Sequence, residues 1–340
     1  MDILQDQLGP IEWLQSLPGW LTPVMEGVSA FGTDTFFLAV LPVIYWCVNP
    51  RLGLRLGLTV LVAGASNQVL KLAFHQPRPY WIDPGVRALA AEGSFGLPSG
   101  HAQISTAAWG LLAATVRRAW AWWGAAVIVL LIGVSRVYLG VHFITDVVAG
   151  VALGLVVLLL AVRLEPAAVA WWRRMPLWGQ LVTSAALSGA LIGVALLANL
   201  PYAGWTVPPA WSGAREITPE SLSTVAALAG GLLGTLGGAS ILWRLGWFVP
   251  SGPFWRRALC WVIGSAVTAG LWLALRGVPD YPRYALLALW VQLGAPLTFR
   301  WLGLVPRSLD SAHHGRTDLA QHPVRGLRPP RRGGGGGAER

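Results

Sequence analysis

The sequence predicts an all-α protein, a polytopic transmembrane helical bundle with about nine spans. Its composition is apolar, since 54% of the 340 residues are hydrophobic and only 12% are charged, with a mean hydropathy of +0.55. Soluble domains carry about 25% charged residues, so this balance excludes an ordinary soluble protein. Runs of roughly 20 apolar residues can cross the hydrocarbon layer of a membrane. Such runs lie near 28–48, 54–74, 101–116, 120–138, 143–162, 181–200, 222–243, 258–275 and 284–303.

Residues 1–27 are predicted to form an interfacial segment rather than a span. Acidic residues precede the first arginine, so no cleaved signal peptide is predicted and the first span is expected to be retained. Trp13, Trp20 and several leucines, interrupted by Pro18 and Pro23, favour short helices that lie on the membrane surface. An irregular N-terminal tail is the alternative interpretation.

The arginines of the short loops predict which side of the protein faces the cytoplasm. Cytoplasmic loops are richer in positive charge, and alternate loops of this chain differ clearly in arginine content. The opposite side, with the acidic N-terminus and the loop of residues 75–98, is predicted to be the non-cytoplasmic face of a bacterial plasma membrane. The arginine-rich, cytoplasmic side contains Arg51, Arg55, Arg117, Arg118, Arg163, Arg173, Arg174, Arg244, Arg256 and Arg257.

Residues 306–340 are predicted to be a disordered, basic cytoplasmic tail because they are rich in glycine, proline and arginine. Together with the cytoplasmic loops, this tail accounts for the net charge of +10, so nucleic-acid binding is not predicted. Cys47 and Cys260 lie inside predicted spans, which disfavours a structural disulfide or a cysteine metal site.

Ionisable residues inside or at the ends of spans are costly, and each one therefore suggests a functional site. Lys71, the only lysine of the chain, ends the second span, and Arg136 ends the fourth. The third span begins with polar residues at 99–101, and the fifth begins with polar residues at 142–146. By the predicted topology these four clusters lie at one membrane face, which favours a single site.

Each of these residues also has an ordinary explanation when it is considered alone. Arg78 and Arg136 could be interfacial anchors, the usual role of arginines at span ends. His101 could be a hydrogen-bonded histidine at a helix start. His142 and Asp146 are four residues apart, so on one helical face they could simply satisfy each other. The convergence of all of them at one face argues against these separate explanations.

Three ordered motifs contain the polar residues. They read K-x6-R-P over 71–79, P-S-G-H over 98–101, and S-R-x5-H-x3-D over 135–146. In this order and spacing they resemble the signature motifs of the type 2 phosphatidic acid phosphatase (PAP2) superfamily, and the resemblance covers roughly residues 28–163. It implies a helical bundle with a phosphatase site that uses no metal and no cofactor.

The resemblance also implies a role for each motif residue. His142 would attack phosphorus and become a phosphohistidine, and Asp146 would fix the tautomer of His142. His101 would protonate the leaving group. The phosphoryl oxygens would be bound by Lys71, Arg78, Ser99, Gly100 and Arg136.

Elementary chemistry is consistent with these roles. Histidine titrates at roughly pH 6.5, so two histidines can divide the nucleophile and acid roles at neutral pH. A phosphoryl transition state spreads negative charge over its equatorial oxygens, which three fixed cations can stabilise where other enzymes use a metal. The free amides of a helix start, with a glycine in the first turn, suit an anion. No carboxylate cluster with magnesium-binding spacing accompanies the motifs, so no metal is predicted.

The chain departs from the resemblance in its architecture. Familiar integral members have six core spans, whereas residues 28–165 supply five, and residues 1–27 could take the place of the sixth. The four further spans within 180–305 lie outside the resemblance and have no predicted role. Their glycines, among them Gly230 and Gly234, favour close helix packing or dimerisation.

The loop of residues 75–98 is the longest segment inside the motif region, and it is predicted to act as a lid or to recognise a lipid headgroup. Its acidic residues Asp83 and Glu92 could pair with Arg87. His75 is close in sequence to the site but is predicted to be a bystander.

These observations predict a metal-independent membrane lipid phosphatase. The substrate would be a lipid phosphate or diphosphate, with polyprenyl diphosphates such as undecaprenyl diphosphate as the first choice and phosphatidic acid or phosphatidylglycerol phosphate as the others. One alternative is a lipid phosphotransferase that uses the same intermediate. Another is a non-catalytic transporter or sensor that binds lipid phosphate. The lipid bilayer is the further partner predicted, and the oligomeric state is left open.

Overall fold

The computed structural model describes residues 2–214 and 218–306, and helices are the regular secondary structure found in those two ranges. The predicted all-α fold is therefore confirmed. The predicted tail, 306–340, lies outside the described residues apart from Pro306.

The helices are numbered in chain order. They are α1 (Asp2–Gln5), α2 (Leu8–Gln15), α3 (Leu21–Ala30), α4 (Asp34–Val43), α5 (Pro50–Phe74), α6 (Pro79–Ile82), α7 (Gly100–Val116), α8 (Ala119–Tyr138), α9 (Ile144–Arg174), α10 (Leu177–Asn199), α11 (Ser223–Arg244), α12 (Phe254–Ala274), α13 (Asp280–Leu289) and α14 (Ala295–Trp301). Two π-helical segments, Ile44–Val48 and Trp290–Gly294, continue α4 and α13, and 3-10 turns at Leu200–Tyr202 and Ser212–Ala214 lie between α10 and α11.

Six helical segments within the described residues are long and apolar enough to cross a membrane. A seventh span is obtained if Leu21–Ala30 and Asp34–Val48, which meet at a bend of 50°, cross together. All nine predicted runs lie largely on helices, but α7 has only 17 residues and the last run is divided between α13, a π-helical segment and α14. The count of nine spans stays a prediction. The six segments are Pro50–Ile82, Ala119–Tyr138, Ile144–Arg174, Leu177–Tyr202, Ser223–Arg244 and Phe254–Ala274.

The N-terminal segment is helical and packs against the core. Leu8 and Ile11 of α2 are buried against the end of α8 and the segment that follows it. The amide nitrogen Nε2 of Gln15 donates to the carbonyl oxygen of Arg87 over 2.9 Å and to that of Tyr138 over 3.0 Å. The alternative interpretation, an irregular tail, is therefore wrong for the described part of this segment.

Helices α7 and α9 pack at close range because glycines stand where they cross. A Cβ atom at Gly150 would lie 2.5 Å from the backbone oxygen of Ser99, and one at Gly154 would lie 2.5 Å from that of Gln103. This packing brings the first turn of α9 beside the first turn of α7. The N–H group of Ser99 consequently donates to the backbone oxygen of Asp146 over 3.0 Å.

Buried polar side chains join α5 to α7. Nδ2 of Asn67 donates to the carbonyl oxygen of Pro98 over 3.1 Å and to Oε1 of Gln103 over 3.0 Å. Nε2 of Gln103 in turn donates to Oγ of Ser66 over 2.9 Å. Because buried polar groups need partners, this network sets the register of α5 against α7. It thereby also places Lys71, one turn beyond Asn67, at the start of α7.

The helices after residue 176 pack tightly on one another and on the core. Added Cβ atoms at Gly230 and Gly234 of α11 would overlap the carbonyl oxygens of Tyr281 and Ala285 in α13. These glycines therefore serve helix packing inside the chain, which is one of the two predicted alternatives. The core helix α9 runs to Arg174, past the predicted core boundary at residue 165.

Aromatic side chains at the end of the first predicted span attach the later helices to the core. The hydroxyl of Tyr45 donates to the carbonyl oxygen of Gln292 over 3.1 Å, and Nε1 of Trp46 donates to that of Val291 over 3.0 Å. Both carbonyl groups belong to the π-helical segment after α13, where the normal helical hydrogen bonding is offset and carbonyl groups are open to other donors. The later helices are thus built into the same bundle as the core.

Replacing Gly234 with alanine is expected to destabilise the protein, because the new methyl group would overlap the backbone of α13. Overpacking of this kind costs about 1–3 kcal/mol. Gly237→Ala is the matched control, since its Cβ would meet only Cδ2 of Leu181 at 3.6 Å, and alanine is otherwise the better helix former by about 0.5–1 kcal/mol. Thermal unfolding of the purified protein in detergent measures both variants, and equal unfolding temperatures would contradict the packing described.

Candidate active site

The motif residues meet at one end of the helical bundle, where four chain segments come together. These segments are the end of α5, the loop between α5 and α7, the first turn of α7, and the stretch from the end of α8 to the first turn of α9. Six of the eight predicted site residues are buried, whereas Gly100 and His101 are half-buried. The site is therefore largely closed to solvent.

The start of α7 presents free backbone amides to the site. Oγ of Ser99 caps the helix by accepting the N–H of Ala102 over 3.5 Å. The N–H groups of Gly100 and His101, at the start of the first turn, have no carbonyl partner within the helix. Glycine at position 100 lets this turn lie against α5, since a Cβ there would be 3.1 Å from Oδ1 of Asn67. The helix start offers donors and the positive end of its dipole to an anion.

His142 lies between α8 and α9, and its tautomer follows from its neighbours. Nδ1 lies 3.3 Å from Oδ2 of Asp146, and Nε2 lies 3.2 Å from Nη1 of Arg78. Because a guanidinium can only donate, Nε2 must be the acceptor and Nδ1 must carry the proton. Burial, and then the charges of Arg78 and Arg136, hold the pKa of His142 well below its usual range. The imidazole is therefore neutral, with its Nε2 lone pair directed at a cation.

The carboxylate of Asp146 is held in place from three sides. Besides the imidazole, Oδ2 accepts the backbone N–H of Phe143 over 3.0 Å, and Oδ1 accepts Nε2 of Gln76 over 3.3 Å. Gly96 leaves room for this group, because a Cβ there would lie 3.2 Å from Oδ2. Sequence reasoning missed Gln76, which reaches the site from the loop after α5.

Arg78 is fully buried, and each of its N–H groups has an acceptor. Nε donates to the carbonyl oxygen of Ser94 over 2.6 Å, and Nη1 donates to that of Val141 over 2.8 Å and to the imidazole of His142. Nη2 donates to the carbonyl oxygen of Phe95 over 3.1 Å and to Oγ of Ser94 over 3.2 Å. The guanidinium thus joins the loop before α7 to the segment before α9.

Lys71 lies beside Arg78 and shares a partner with it. Its side chain is only 5% exposed, and Nζ donates to Oγ of Ser94 over 2.8 Å. An ammonium has three N–H donors, and Ser94 is the one acceptor found for them in the described part of the chain, so two remain available to a ligand. Ser94 was not predicted as a site residue, because a single serine in a loop carries no pattern.

Arg136 is paired with a carboxylate from the loop. Its Nη1 donates to Oγ of Ser29 over 2.8 Å, and its Nη2 forms an ion pair with Oε1 of Glu92. Oε2 of Glu92 lies 3.6 Å from Nη2 of Arg78. Burial alone would raise the pKa of Glu92, but Arg78, Arg136 and Lys71 lower the pKa of this carboxyl to about 2. Glu92 is therefore ionised and lies among the cations of the site.

The predicted pairing of Asp83 and Glu92 with Arg87 is wrong. Nη2 of Arg87 donates to the backbone oxygen of Gln15, and Oδ1 of Asp83 accepts the N–H of Gly85 over 2.7 Å. The N-terminal helix α2 decides this outcome, because it offers Arg87 a backbone partner that lies 72 residues away in the sequence.

His101 is placed in the first turn of α7, at the same cluster. Its Nε2 is buried and has no hydrogen-bond partner within the described residues. The ring lies beside the turn before α4, where a Cβ added at Gly32 would lie 3.4 Å from Cδ2 of His101, an ordinary van der Waals distance. No sequence pattern predicts this contact, because the two positions lie 69 residues apart in a mostly apolar stretch.

Aromatic side chains from the loop between α10 and α11 support the loop before α7. His75 stacks on Tyr202 with ring centroids 3.5 Å apart, and the rings of Phe95 and Trp205 are 5.4 Å apart. Because the carbonyl group of Phe95 binds Arg78, this cluster supports the backbone that holds the guanidinium. His75, predicted to be a bystander, is packed into the cluster.

The composition of the site suits an anionic group. Lys71, Arg78 and Arg136 supply three cations, His101 and His142 supply two imidazoles, and helix α7 adds amides. Within residues 2–214 and 218–306 no group of three or more His, Cys, Asp or Glu side chains is placed to hold a metal ion. The arrangement can bind a phosphoryl group, attack it with an imidazole and protonate an oxygen.

Comparison with known proteins finds two matching family profiles. The profile described as "PAP2 superfamily" matches residues 52–170. The profile described as "PAP2 superfamily phosphatase, transmembrane extension" matches residues 226–307. Phosphatidylglycerophosphatase B of Bacillus subtilis (strain 168) is 31% identical over 153 residues, which cover 42% of this chain and 73% of the relative. Undecaprenyl-diphosphatase of Sulfolobus acidocaldarius is 30% identical over 148 residues, which cover 43% and 71%. The crystal structure of a transmembrane PAP2 type phosphatidylglycerolphosphate phosphatase from Bacillus subtilis shares 28% identity and a TM-score of 0.42, covering 49% of this chain and 88% of that chain.

Replacing Glu92 with glutamine is expected to lower the unfolding temperature at neutral pH, because Arg136 and Arg78 lose a charged partner. Because the pKa of Glu92 is lowered in the folded state, its ionised carboxylate stabilises the fold at pH values above its ordinary pKa of 4.5. This contribution is lost as the pH falls towards about 2. The difference between the wild type and Glu92→Gln should therefore shrink as the pH falls below 4.5. Thermal unfolding in detergent between neutral and acidic pH measures it.

Glu165→Gln is the matched control for this titration. Oε2 of Glu165 lies 2.7 Å from Nε of Arg55, and the two side chains are 32% and 34% exposed. Solvent screens such a pair, so its contribution to the unfolding temperature should be small at every pH. A difference between wild type and Glu92→Gln that does not change with pH would contradict the ionised pair.

Proposed function

The chain belongs to the PAP2 superfamily and is a membrane lipid phosphatase, and we propose that it works through a phosphohistidine formed on His142. The hydrogen bonding of the imidazole is the observation that carries this proposal. Nδ1 faces Asp146, so the lone pair of Nε2 faces the cations of the site. A neutral imidazole in this tautomer can attack phosphorus without first losing a proton.

The proposed reaction has two steps. First, Nε2 of His142 bonds to phosphorus while the bond from phosphorus to the leaving oxygen breaks. His101 donates a proton to that oxygen, and Asp146 stabilises the positive charge that develops on the His142 ring. Second, water attacks phosphorus while His101 accepts a proton from it, and the P–N bond breaks. Orthophosphate leaves, and both histidines return to their starting forms.

His101 must be protonated when the substrate is bound. The incoming phosphoryl group brings negative charge next to this histidine, and a nearby anion favours the charged imidazolium. Its Nε2 has no partner within the described residues, so that atom is available to the leaving oxygen. The substrate itself therefore helps to prepare the general acid.

The phosphoryl oxygens are proposed to bind donors that the protein uses incompletely. Lys71 has two further N–H groups, and Nε of Arg136 is buried without a partner in the described part of the chain. The amides at Gly100 and in the rest of the first turn of α7 add donors and a helix dipole. Arg78 can contribute the Nη1 proton now directed at His142, because Nε2 no longer accepts it once the P–N bond forms.

The proposed substrates are lipid phosphates or diphosphates. A polyprenyl diphosphate such as undecaprenyl diphosphate is the first choice, and phosphatidylglycerol phosphate and phosphatidic acid are the others. The names of two relatives support this range, since one is an undecaprenyl-diphosphatase and the other is a phosphatidylglycerophosphatase. Phosphotransfer to a lipid or sugar hydroxyl would use the same intermediate and would differ only in the acceptor.

We further propose that the site faces the non-cytoplasmic side of a bacterial plasma membrane, with the C-terminus in the cytoplasm. The distribution of arginines supports this orientation, because the loops at the opposite end of the bundle carry most of the positive charge.

Replacing His142 with alanine is expected to abolish phosphate release, because the phosphoryl group loses its acceptor. A fall on the order of a thousandfold or more is expected for the loss of a nucleophile. The assay follows orthophosphate release by the purified chain in detergent, with a chelator present, across lipid monophosphates and diphosphates. His313→Ala, a change of another histidine outside the described residues, is the control. Turnover by His142→Ala near the wild-type rate would rule out the phosphohistidine.

The orientation is tested with single cysteines at the two ends of the bundle. Gly93 is exposed in the loop of the site and Arg118 is exposed in the turn between α7 and α8, whereas Cys47 and Cys260 are buried. A membrane-impermeant maleimide should label Gly93→Cys in intact cells and Arg118→Cys only after permeabilisation. The reverse pattern would place the site in the cytoplasm.

A further inference from the structure

The candidate site contains an anion of its own. The two carboxylate oxygens of Glu92 face Arg136 and Arg78, which are two of the three cations proposed to bind the phosphoryl group. The Glu92 side chain is 22% exposed, whereas the side chains of Arg78 and Arg136 are 0% and 3% exposed. A phosphoryl group that enters the site therefore finds Nη2 of Arg136 already paired with Glu92, and it can take Nε and Nη2 together only by displacing that carboxylate.

The backbone that carries Glu92 is held by hydrogen bonds, whereas Glu92 itself lines an open cavity and its side chain is partly exposed. The hydroxyl of Tyr80 donates to the carbonyl oxygen of Glu92 over 3.1 Å, and the N–H of Leu89 donates to the carbonyl oxygen of Leu139 over 3.1 Å. An open cavity of about 600 Å³ is lined by Tyr80 and residues 88–93, among them Glu92. Rotation of the side chain away from Arg136 would free Nη2 of that guanidinium.

We propose that Glu92 is an internal competitor of phosphate, whose carboxylate binds Arg136 and Arg78 whenever no phosphoryl group does. This inference rests on the proposed function. A carboxylate and a phosphate accept from guanidinium donors in the same geometry, so only one of them can fully occupy Arg136 at a time. Glu92 therefore lowers the affinity of the site for any phosphate, including the product.

This competition affects substrate and product differently. A lipid phosphate is kept at the site by its apolar tail in the bilayer, so its effective concentration is high even when the headgroup binds weakly. Orthophosphate has no tail and depends on the site alone. Displacement by Glu92 consequently favours release of the product more than it weakens binding of the substrate.

Glu92→Gln is the central test, because it keeps the shape of the side chain and removes its charge. Loss of a charged competitor should lower the dissociation constant of orthophosphate by about tenfold. The affinity is measured on the purified full-length chain in detergent from the rise of the unfolding temperature with orthophosphate concentration. The inhibition constant of orthophosphate in the lipid phosphatase assay should fall by the same factor.

Two further variants isolate the cause. Glu92→Asp keeps the charge but withdraws it from Arg136 by one methylene, so its affinity for orthophosphate should lie between those of wild type and Glu92→Gln. Asp83→Asn neutralises another acid of the same loop, whose carboxylate binds the N–H of Gly85 instead of the cations of the site. It should bind orthophosphate as the wild type does.

Unchanged or weaker orthophosphate binding by a folded Glu92→Gln would overturn the inference. An equal gain in Asp83→Asn would also overturn it, since net charge alone would then set the affinity. If Glu92→Gln does not fold, wild-type affinity in Glu92→Asp has the same meaning. A wild-type chain that releases no phosphate from any lipid would contradict the proposed function, while the binding comparison would still decide the role of Glu92.

Discussion

Arg78 carries a fully buried guanidinium, and its hydrogen bonds connect two of the segments that form the site. A charge removed from water is tolerated only when it is paired and hydrogen-bonded, and every N–H group of Arg78 meets an acceptor. All of these acceptors belong to residues 94–95 and 141–142. One side chain thus draws the loop before α7 and the segment before α9 to the same point. In doing so it also sets the tautomer of His142, because a guanidinium leaves Nε2 no role except that of acceptor.

The three cations that suit a phosphoryl group repel one another when no phosphoryl group is bound. Lys71, Arg78 and Arg136 converge at the same buried cluster, where like charges are poorly screened. The carboxylate of Glu92 offsets this repulsion, and its strongly lowered pKa reflects the same field. The same guanidinium donors therefore contribute both to the stability of the fold and to ligand binding. A site built for a polyanion is stabilised by an internal anion that the ligand has to displace.

The helices after residue 176 contribute to the site although none of the motifs lies in them. Glycines of α11 bring α13 into close contact, and the loop before α11 places Tyr202 and Trp205 against His75 and Phe95. Aromatic packing in this position restricts the backbone whose carbonyl groups bind Arg78. The chain after residue 176 is thus connected to the candidate site through the loop between α10 and α11, which packs against the loop that carries Arg78.

The helical class and the motif residues can be read from the sequence, because a charge in an apolar span is costly and therefore conspicuous. Lys71, His142 and Asp146 were identified on that ground, and the structure brings them together with the other motif residues. The residues that contact these motif residues lie mostly in loops, where a polar side chain is ordinary and does not stand out in the sequence. Tertiary packing therefore selects which loop or distant side chains complete the site. Hydropathy alone also does not establish the number of membrane spans, because length and composition do not reveal whether a short or broken helix crosses the membrane. The partners that tertiary packing supplies are Ser29, Gly32, Gln76, Glu92 and Ser94.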